Sequence, residues 1–438
     1  MIVMKFGGTS VGSANRIEEV FQIVQPLRAQ NPVVVVSAVG GVTDLLIEAG
    51  NKALKGLVDI APIVQRHKAV IDALEQPDRL IQPLHEELYE LLTGIRMIKE
   101  ISPRTSDYLV SFGERISCQI VAAHFNRRGM AARYHFAYDI GMITDNNFQN
   151  ALPLPEAYDL IRHQLSDTSY VPVVTGFVGK NKKGEITTLG RGGSDYTAAI
   201  LGAGIGAEEI QIWTDVDGIL TTDPRMVPQA RNVPVVSFKE AAELAYYGAK
   251  VLHPKTIRPA MERGIPVVVK NTGHPAHPGT RIIADPPANG KLVKALSVKK
   301  NVTLINVYSL RMLEAVGFLA RIFNAFAQHN VAVDMVSTSE VSVSITVEGQ
   351  PNIDRVVEEL STFARVDVDT NYAIVCIVGE GMRRGVGIAG QIFKVMSDEG
   401  IAVEMISQGA SDINLGFVIR EAQVEKAVKR LHAVLFEG

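Results

Sequence analysis

Residues 1–36 read MIVMKFGGTSVGSANRIEEVFQIVQPLRAQNPVVVV and give the clearest indication of the fold. An apolar, β-branched run at residues 2–6 predicts one strand, and a second run at 33–36 predicts another. Between these runs, apolar residues recur at the spacing of one helix face: Ile17, Val20, Phe21, Val24 and Leu27. A helix that buries such a face between two apolar strands is typical of an α/β domain.

The alternation of strand and helix continues to about residue 270. Apolar runs at 171–178, 210–213 and 266–269 predict three more strands, with helical periods between them. Because these strands are apolar along their whole length, we expect a mostly parallel sheet with helices covering both faces. Residues 42–126 carry mainly helical patterns, which predict additional helices at one end of that sheet.

A segment rich in proline and glycine, residues 271–290, separates this region from the rest of the chain. Residues of these two types interrupt regular elements rather than build them. We therefore place a domain boundary near residue 290 and predict a first domain of residues 1–290.

Beyond this boundary the chain repeats itself with an offset of 70 residues. Gly317 matches Gly387, and Met335 matches Met405. Each copy reads strand, helix, strand, strand, helix, which is the start of a ferredoxin-like unit. The first copy has a closing strand near residues 364–368, whereas the second copy ends on its helix.

The missing strand of the second copy is supplied by residues 292–298, which precede the first copy. We infer that the first unit is inserted within the second. The predicted ferredoxin-like domains are therefore residues 300–370 and residues 291–299 plus 371–438.

Composition excludes several classes of protein. The 438 residues include 44 Lys and Arg against 47 Asp and Glu, so a net charge of −3 gives no general attraction for nucleic acid. No apolar run approaches the ~18 residues that a membrane span needs. The two cysteines, Cys118 and Cys376, have no metal-binding spacing and suggest a reducing compartment. We expect a cytoplasmic enzyme that contacts neither membrane nor nucleic acid.

The turn at residues 5–10, KFGGTS, follows the first strand and is expected to open the first helix. Its two glycines allow close approach of the backbone to a ligand, and a helix start offers free N–H groups to a phosphate. The segment lacks the spacing of a P-loop. A plain tight turn between strand and helix is the alternative interpretation.

A second glycine-rich turn, GRGGSD at residues 190–195, precedes another predicted helix. The planar guanidinium of Arg191 suits a carboxylate ligand. Asp195 could act only as a helix cap, but an arginine and an aspartate flanked by glycines favour a functional role. Acidic residues at 215, 217 and 223 follow a strand, where open α/β sheets bind ligands, although such residues are also common in turns.

Taken together, seven segments resemble those of the aspartate kinases of the amino-acid kinase family, and the two repeats resemble ACT domains. The segments are KFGGTS (5–10), SAVGGVT (37–43), SFGERIS (111–117), GRGGSD (190–195), WTDVDGI (213–219), TTDPR (221–225) and YGAKVLHP (247–254). The resemblance implies an α/β fold of the amino-acid kinase type, an αβα sandwich with a mostly parallel sheet, followed by two ACT domains. It also implies transfer of the γ-phosphoryl group of ATP to the β-carboxylate of L-aspartate, the first step toward lysine, threonine and methionine.

The resemblance carries roles to individual residues. It implies catalytic roles for Lys5 and Asp195. The implied aspartate-binding residues are Ser37, Thr43, Glu114, Arg191, Gly192, Gly193 and Ser194. The implied ATP-binding residues are Lys5, Phe6, Gly7, Gly8, Thr214, Asp215, Arg225, Lys250 and Val251. Magnesium is expected to be held mainly by the phosphates of the nucleotide, without a metal site of the protein's own.

In the first repeat, the resemblance implies an amino-acid effector site, with L-lysine as the effector. Its residues are Met312, Gly317, Val333, Asp334, Ser339 and Glu340. Two positions depart from the family pattern: Leu220 stands where a tyrosine can occur, and Ala315 where a serine occurs. ACT domains usually pair side by side, which predicts a homodimer or homotetramer.

Two other functions remain open from the sequence alone. The chain could phosphorylate another carboxylate, such as that of glutamate or acetylglutamate. It could also be an amino-acid-binding regulatory protein with a silent kinase domain, although the presence of Lys5, Arg191, Asp195 and Lys250 argues against this.

Overall fold

The computed structural model describes the whole chain except residues 168, 249–251, 253, 287–291, 313–315, 350–351, 383–384, 409–412 and 438. Within this part of the chain, no helix is both long and apolar enough to cross a membrane. The chain forms two compact units. Unit 1 comprises Met1–Ile219, Pro234–Phe238 and Val251–Pro286, and unit 2 comprises Leu220–Val233, Lys239–Lys250 and Pro287–Gly438.

Unit 1 contains an eight-stranded sheet, and the predicted parallel arrangement is confirmed. Its strands are β1 (Ile2–Phe6), β2 (Pro32–Val36), β3 (Ala132–His135), β5 (Val171–Thr175), β8 (Glu209–Thr214), β9 (Val235–Ser237), β10 (Val267–Asn271) and β11 (Thr280–Ile283). They are ordered β3-β5-β2-β1-β8-β10-β11-β9. Every neighbouring pair is parallel except β10 with β11. A small second sheet contains β4 (Ile143–Thr144), β6 (Val178–Asn181) and β7 (Ile186–Thr188).

The helices of unit 1 are α1 (Ala14–Val24), α2 (Val42–Leu54), α3 (Ala61–Ala73), α4 (Gln82–Ile98), α5 (Pro103–Arg127), α6 (Ala157–Gln164), α7 (Gly193–Ile205) and α9 (Pro254–Glu262). The predicted helices within 42–126 are therefore present as α2 to α5. They share one apolar core with residues of β1, β2 and β5. They thus cover a face of the sheet rather than only extending its end. The 25-residue α5 is buried along most of its length, between Asp107 and Phe125, because it runs between this helical layer and the strands.

Unit 2 is built on a six-stranded antiparallel sheet ordered β13-β14-β12-β15-β17-β16. Its strands are β12 (Ala295–Tyr308), β13 (Met335–Thr338), β14 (Ser342–Glu348), β15 (Arg365–Val378), β16 (Met405–Ser407) and β17 (Asn414–Arg420). Its helices are α10 (Phe318–Gln328), α11 (Ile353–Ser361), α12 (Ile388–Asp398) and α13 (Val424–His432), and α8 (Phe238–Tyr246) belongs to it except for its first residue.

The two long strands β12 and β15 serve both repeats. Residues 302–308 of β12 pair with β14 and with the first half of β15, whereas residues 295–299 pair with residues 374–378. The predicted exchange is therefore present: the strand before the first repeat completes the sheet of the second. Both long strands are interrupted at equivalent repeat positions, Asn301 and Asn371, which have φ angles of 58° and 66°. Each half has its own apolar core.

Two segments that the sequence placed with the catalytic domain, 220–233 and 239–250, are grouped with unit 2. The reason for the first segment is apolar packing, since Met226 and Val227 contact the core of the second repeat. The boundary near residue 290 falls among residues outside the described part of the chain.

Candidate active site

A cavity of about 490 Å³ in unit 1 brings together all the residues assigned to catalysis and aspartate binding. It lies where β1 and β2 end and where α2 and α7 begin. Nine of its lining residues were named from the sequence: Lys5, Ser37, Thr43, Glu114, Arg191, Gly192, Gly193, Ser194 and Asp195. The sheet brings together the motifs that follow β1 and β2, because the carboxyl ends of parallel strands meet at one edge, whereas Glu114 comes from α5 and Arg191 from the turn between β7 and α7.

Lys5 and Asp195 form an ion pair in this cavity. The Lys5 Nζ atom lies 2.7 Å from Asp195 Oδ1, and the two side chains are only 11% and 15% exposed. Asp195 stands in the first turn of α7, whose N-cap is Gly192, so the interpretation of Asp195 as the helix cap is wrong. The ion pair therefore holds the Lys5 ammonium group in one orientation at the end of β1.

Glu114 is the most strongly perturbed carboxyl group of the cavity. Its side chain is buried, and its Oε2 atom has no hydrogen-bond partner among the described residues. Burial raises the pKa of Glu114 to about 8, although hydrogen bonds from backbone N–H groups, including that of Ala38, oppose the shift. A buried, unpartnered carboxyl oxygen that faces a cavity is suited to a cationic ligand.

The turn at residues 190–195 depends on glycine. Gly190 and Gly192 have φ angles of 78° and 69°, which other residue types rarely adopt. A Cβ atom on Gly193 would stand 2.5 Å from the Phe177 ring. Arg191 projects from this turn, is exposed, and makes no ion pair with any described residue. The turn therefore presents a guanidinium and the positive end of α7 to the cavity.

The turn at residues 7–10 corrects one prediction. It does not open a helix, because α1 begins only at Ala14, where Ser13 caps it. The Gly7 N–H donates to the Trp213 carbonyl at 3.3 Å, so it is already engaged. A Cβ atom on Gly8 would lie 3.0 Å from the Ala38 carbonyl oxygen. This glycine is thus required for close packing of two loops, whatever ligand the turn binds.

The residues assigned to ATP are not all brought together. Thr214 and Asp215 lie at the end of β8 and hydrogen-bond to each other at 3.1 Å. The Phe6 ring is buried against Trp213, so only its backbone could reach a nucleotide. Arg225 belongs to unit 2 and pairs with Asp223 at 2.7 Å. Lys250 and Val251 lie outside the described residues.

Sequence reasoning missed several residues that line the cavity. They are Ile47, Ser106, Asp107, Val110, Gln149, Phe177, Thr188 and Gly190. Asp107 could have been found, because it stands seven residues before Glu114 and so shares its helix face. Gln149 carries no such signal, since it lies in a loop with a φ angle of 68°.

The candidate effector residues lie in unit 2. The Asp334 side chain is 3% exposed, and its Oδ1 atom lies 2.6 Å from Lys299 Nζ. The Tyr246 hydroxyl donates to the same oxygen at 2.9 Å, whereas Asp334 Oδ2 has no partner among the described residues.

The other effector candidates surround the first repeat. Gly317, with a φ angle of 90°, caps α10, and Met312 and Val333 pack against the core of this repeat. Ser339 and Glu340 are exposed in the turn between β13 and β14, where Ser339 bonds to Ser342. Ala315 lies outside the described residues.

Comparison with protein families gives two matches. Residues 1–271 match the amino acid kinase family, and residues 287–362 and 375–435 match the ACT domain. Among curated relatives, Aspartokinase 1, chloroplastic, of Arabidopsis thaliana is 42% identical over 457 residues, which cover 100% of this chain and 80% of the relative. Lysine-sensitive aspartokinase 3 of Escherichia coli is 36% identical and covers 100% of this chain and 99% of the relative.

Solved structures give the same result. Aspartokinase III of E. coli in complex with aspartate and ADP, in its R-state, has a TM-score of 0.86 at 35% identity, with full coverage of both chains. The same enzyme with lysine and aspartate, in its T-state, has a TM-score of 0.77 at 36% identity, covering 100% of this chain and 99% of that one.

Proposed function

The chain belongs to the aspartokinases of the amino acid kinase family, and we propose that the cavity of unit 1 is where it holds aspartate for phosphorylation. The enzyme transfers the γ-phosphoryl group of ATP to the β-carboxylate of L-aspartate and gives 4-phospho-L-aspartate. The observation that carries the site assignment is the meeting of Lys5, Glu114 and Arg191 around one cavity. Kinases for glutamate or acetylglutamate are not favoured, since the relatives above are aspartokinases.

Three charged groups would fix the substrate. The exposed guanidinium of Arg191 suits the α-carboxylate, with help from the start of α7 at Gly193 and Ser194. The Glu114 Oε2 atom, which has no hydrogen-bond partner in the described part of the chain, suits the α-ammonium group. Ser37 and Thr43 line the same cavity and offer hydroxyl groups to the substrate. The β-carboxylate is then left free to face the nucleotide.

The reaction needs no general base. A carboxylate with an ordinary pKa near 4 is already ionised at neutral pH and can attack phosphorus directly. What the protein must supply is in-line positioning and neutralisation of charge on the γ-phosphoryl group. We assign this neutralisation to Lys5, whose ammonium Asp195 holds in place at 2.7 Å. Asp195 thus orients a cation rather than removing a proton.

Magnesium is assigned to the phosphates of the nucleotide, because this ion retains phosphate and water ligands in preference to all-protein sites. Among the described residues, no group of three or more His, Cys, Asp or Glu side chains is placed to hold a metal ion. Within unit 1, the proposed contacts with the nucleotide include Lys5, Phe6, Gly7, Gly8, Thr214 and Asp215, whereas Arg225, Lys250 and Val251 are proposed from the family pattern alone.

The pH dependence of aspartate binding tests the role of Glu114. Its pKa of about 8 means that the free enzyme holds this carboxyl protonated at neutral pH, and the proton must leave before an ammonium group can bind. We expect the KM for aspartate to fall about tenfold per pH unit from pH 6 toward 8 and then to level. In Glu114→Gln, KM should be high and should not follow pH over this range. A wild-type KM independent of pH between 6 and 8 would contradict the role.

The same shift predicts the sign of an effect on stability. The folded protein keeps the Glu114 proton up to a pKa of about 8, whereas an unfolded chain loses it near the ordinary value of 4.5. The contribution of Glu114 to stability should therefore decline as the pH rises from 4.5 to 8. Thermal melting of the wild type and Glu114→Gln across this range measures the difference.

Phosphorylation itself separates the possible substrates. Acyl phosphates react with hydroxylamine, so a hydroxamate assay with aspartate, glutamate and acetylglutamate reports which carboxylate is used. We expect product with aspartate and a strong loss of it in Glu114→Gln at low aspartate concentration. Equal rates of the wild type and the variant would contradict the assignment of Glu114 to the aspartate site.

Feedback control is assigned to the first repeat, with L-lysine as the effector. Support comes from the lysine-sensitive relative and from its structure with bound lysine. It also comes from Asp334, whose buried Oδ2 atom has no partner within the residues that the structure describes, so that an ammonium group could provide one. ACT pairing in a homodimer or homotetramer stays a proposal, as does a cytoplasmic location, which the two free cysteines support.

Replacing Asp334 with asparagine tests this effector site. A hydrogen bond to a charged group contributes about 1.5–3 kcal/mol, so the lysine concentration for half-inhibition should rise roughly 10- to 150-fold. The matched control is Glu404→Gln, since Glu404 holds the equivalent position in the second repeat. Threonine serves as a control ligand. Wild-type enzyme that is insensitive to lysine, or equal shifts in the two variants, would refute the assignment.

A further inference from the structure

We propose that Asp107 is a positioning residue that sets the distance between the two ends of the aspartate site. Its carboxylate joins α5, which carries Glu114, to the backbone from which the turn with Arg191 departs. The inference rests on the proposed function, because it assumes that Glu114 and Arg191 hold the two charged groups of aspartate.

The contacts of Asp107 are all directed to the opposite wall of the cavity. The side chain is 1% exposed. Its Oδ2 atom accepts the N–H of Gln149 at 2.9 Å and the N–H of Thr188 at 2.8 Å. Its Oδ1 atom accepts the Thr188 hydroxyl at 2.8 Å. One buried carboxylate thus holds two separate segments of backbone.

On the helix side, Asp107 and Glu114 are rigidly related. They stand seven residues apart on α5, which is two helical turns, and both line the cavity, with Val110 between them. A buried helix of 25 residues keeps this spacing. A shift of Asp107 would therefore move Glu114 with it.

On the other side, the two segments lead directly to the substrate-binding turn. Thr188 ends β7, two residues before Gly190. A Cβ atom on Gly190 would stand 2.9 Å from the Gln149 carbonyl oxygen, so the loop and the turn are packed without spare room. The Ala151 N–H also donates to the Thr188 carbonyl at 2.9 Å. Asp107 therefore fixes the base of the turn that presents Arg191.

Hydrogen-bond geometry, rather than charge, is what this role requires. Burial raises the pKa of Asp107, because desolvation disfavours the charged form, and its three hydrogen bonds act in the opposite direction. An asparagine can place its oxygen where Oδ2 accepts both N–H groups. Its NH₂ group can then donate to the Thr188 hydroxyl, which acts as donor or acceptor.

The test compares Michaelis constants for aspartate and ATP in variants of the full-length enzyme. In Asp107→Ala, the KM for aspartate should rise tenfold or more, while the KM for ATP stays within threefold of the wild type. In Asp107→Asn, both values should stay within threefold. Thr188→Val removes one of the three hydrogen bonds and should raise only the KM for aspartate, by about threefold. This variant tests the proposal if Asp107→Ala does not fold.

Asn126→Ala is the matched control. Asn126 also lies on α5 and also makes three hydrogen bonds to backbone, with Ala122 and Ala132, away from the cavity. Its loss should lower the melting temperature without changing either KM. If Asp107 contributes only to stability, Asp107→Ala will also lower the melting temperature without changing either KM. That result would overturn the proposal.

Two further outcomes separate the possible failures. If Asp107→Asn is as damaging as Asp107→Ala, the charge of Asp107 acts on the substrate directly and the positioning role is wrong. If Glu114→Gln, measured in parallel, raises the aspartate KM but Asp107→Ala does not, only the role of Asp107 fails. If Glu114→Gln leaves the aspartate KM unchanged, the proposed aspartate site itself fails.

Discussion

Replacing Lys5 with alanine should lower the turnover number about 100- to 1,000-fold at saturating ATP and aspartate. This is the usual effect of removing one preorganised group that stabilises charge in a transition state. Lys5 is preorganised because Asp195 holds its ammonium at 2.7 Å in a position that is mostly closed to water. The variant should fold, since the alanine leaves the hydrogen bonds of β1 with β2 and β8 in place.

Lys270→Ala is the matched control for Lys5. Lys270 lies at the same edge of the same sheet, where it pairs with Trp213, and Trp213 in turn pairs with Phe6. Because side chains alternate along a strand, Lys270 and Lys5 point to opposite faces. Its loss should change turnover less than threefold. A Lys5→Ala enzyme that turns over within threefold of the wild type would refute the assignment of Lys5.

Replacing Arg191 with lysine should weaken aspartate binding specifically. Lysine keeps the charge but loses the two parallel N–H groups that match a carboxylate. Hydrogen bonds of this charged type contribute about 1.5–3 kcal/mol, which corresponds to a rise in the KM for aspartate of roughly 10- to 150-fold. The KM for ATP should change less than threefold. Both constants come from initial rates with one substrate varied and the other saturating.

The control for Arg191 is Arg104→Lys. Arg104 is also exposed in unit 1, where it pairs with Glu185 at 2.8 Å, and an exposed ion pair of this kind contributes little. Neither Michaelis constant should change in this variant. Equal losses of affinity for aspartate and ATP in Arg191→Lys would place Arg191 with the nucleotide or with the fold of the turn.

The sequence determined the architecture, because architecture follows from patterns that are local. Apolar runs such as residues 33–36 have no polar side, so they require a strand covered on both faces, and the structure has one there. The offset of 70 residues predicted two units of the same design. It also predicted that residues 292–298 complete the second sheet, because the second copy had no other strand available, and in the structure residues 295–299 pair there.

Many of the residues that line the cavity were also accessible from the sequence, but for a different reason. The motifs around Lys5, Glu114 and Arg191 match those of one family in order. Of these three, only Lys5 lies at the carboxyl end of a strand of the parallel sheet, whereas Glu114 comes from the middle of α5 and Arg191 from the turn after β7, so their convergence on a single cavity depends on the tertiary structure. The sequence placed the start of α1 at the turn of residues 5–10, whereas in the structure the helix begins at Ala14 and is capped by Ser13.

Only the tertiary structure decided how these groups behave chemically. The pKa of Glu114 depends on how completely water is removed from around it, which is a sum over many surrounding residues and has no local signature. The contacts of Asp334 have no local signature either, because its partners Lys299 and Tyr246 come from distant parts of the chain. Asp107 reaches Thr188 across 81 residues of sequence. Periodicity reports which face of an element is buried, whereas the partner that a buried polar group meets is set by the path of the whole chain.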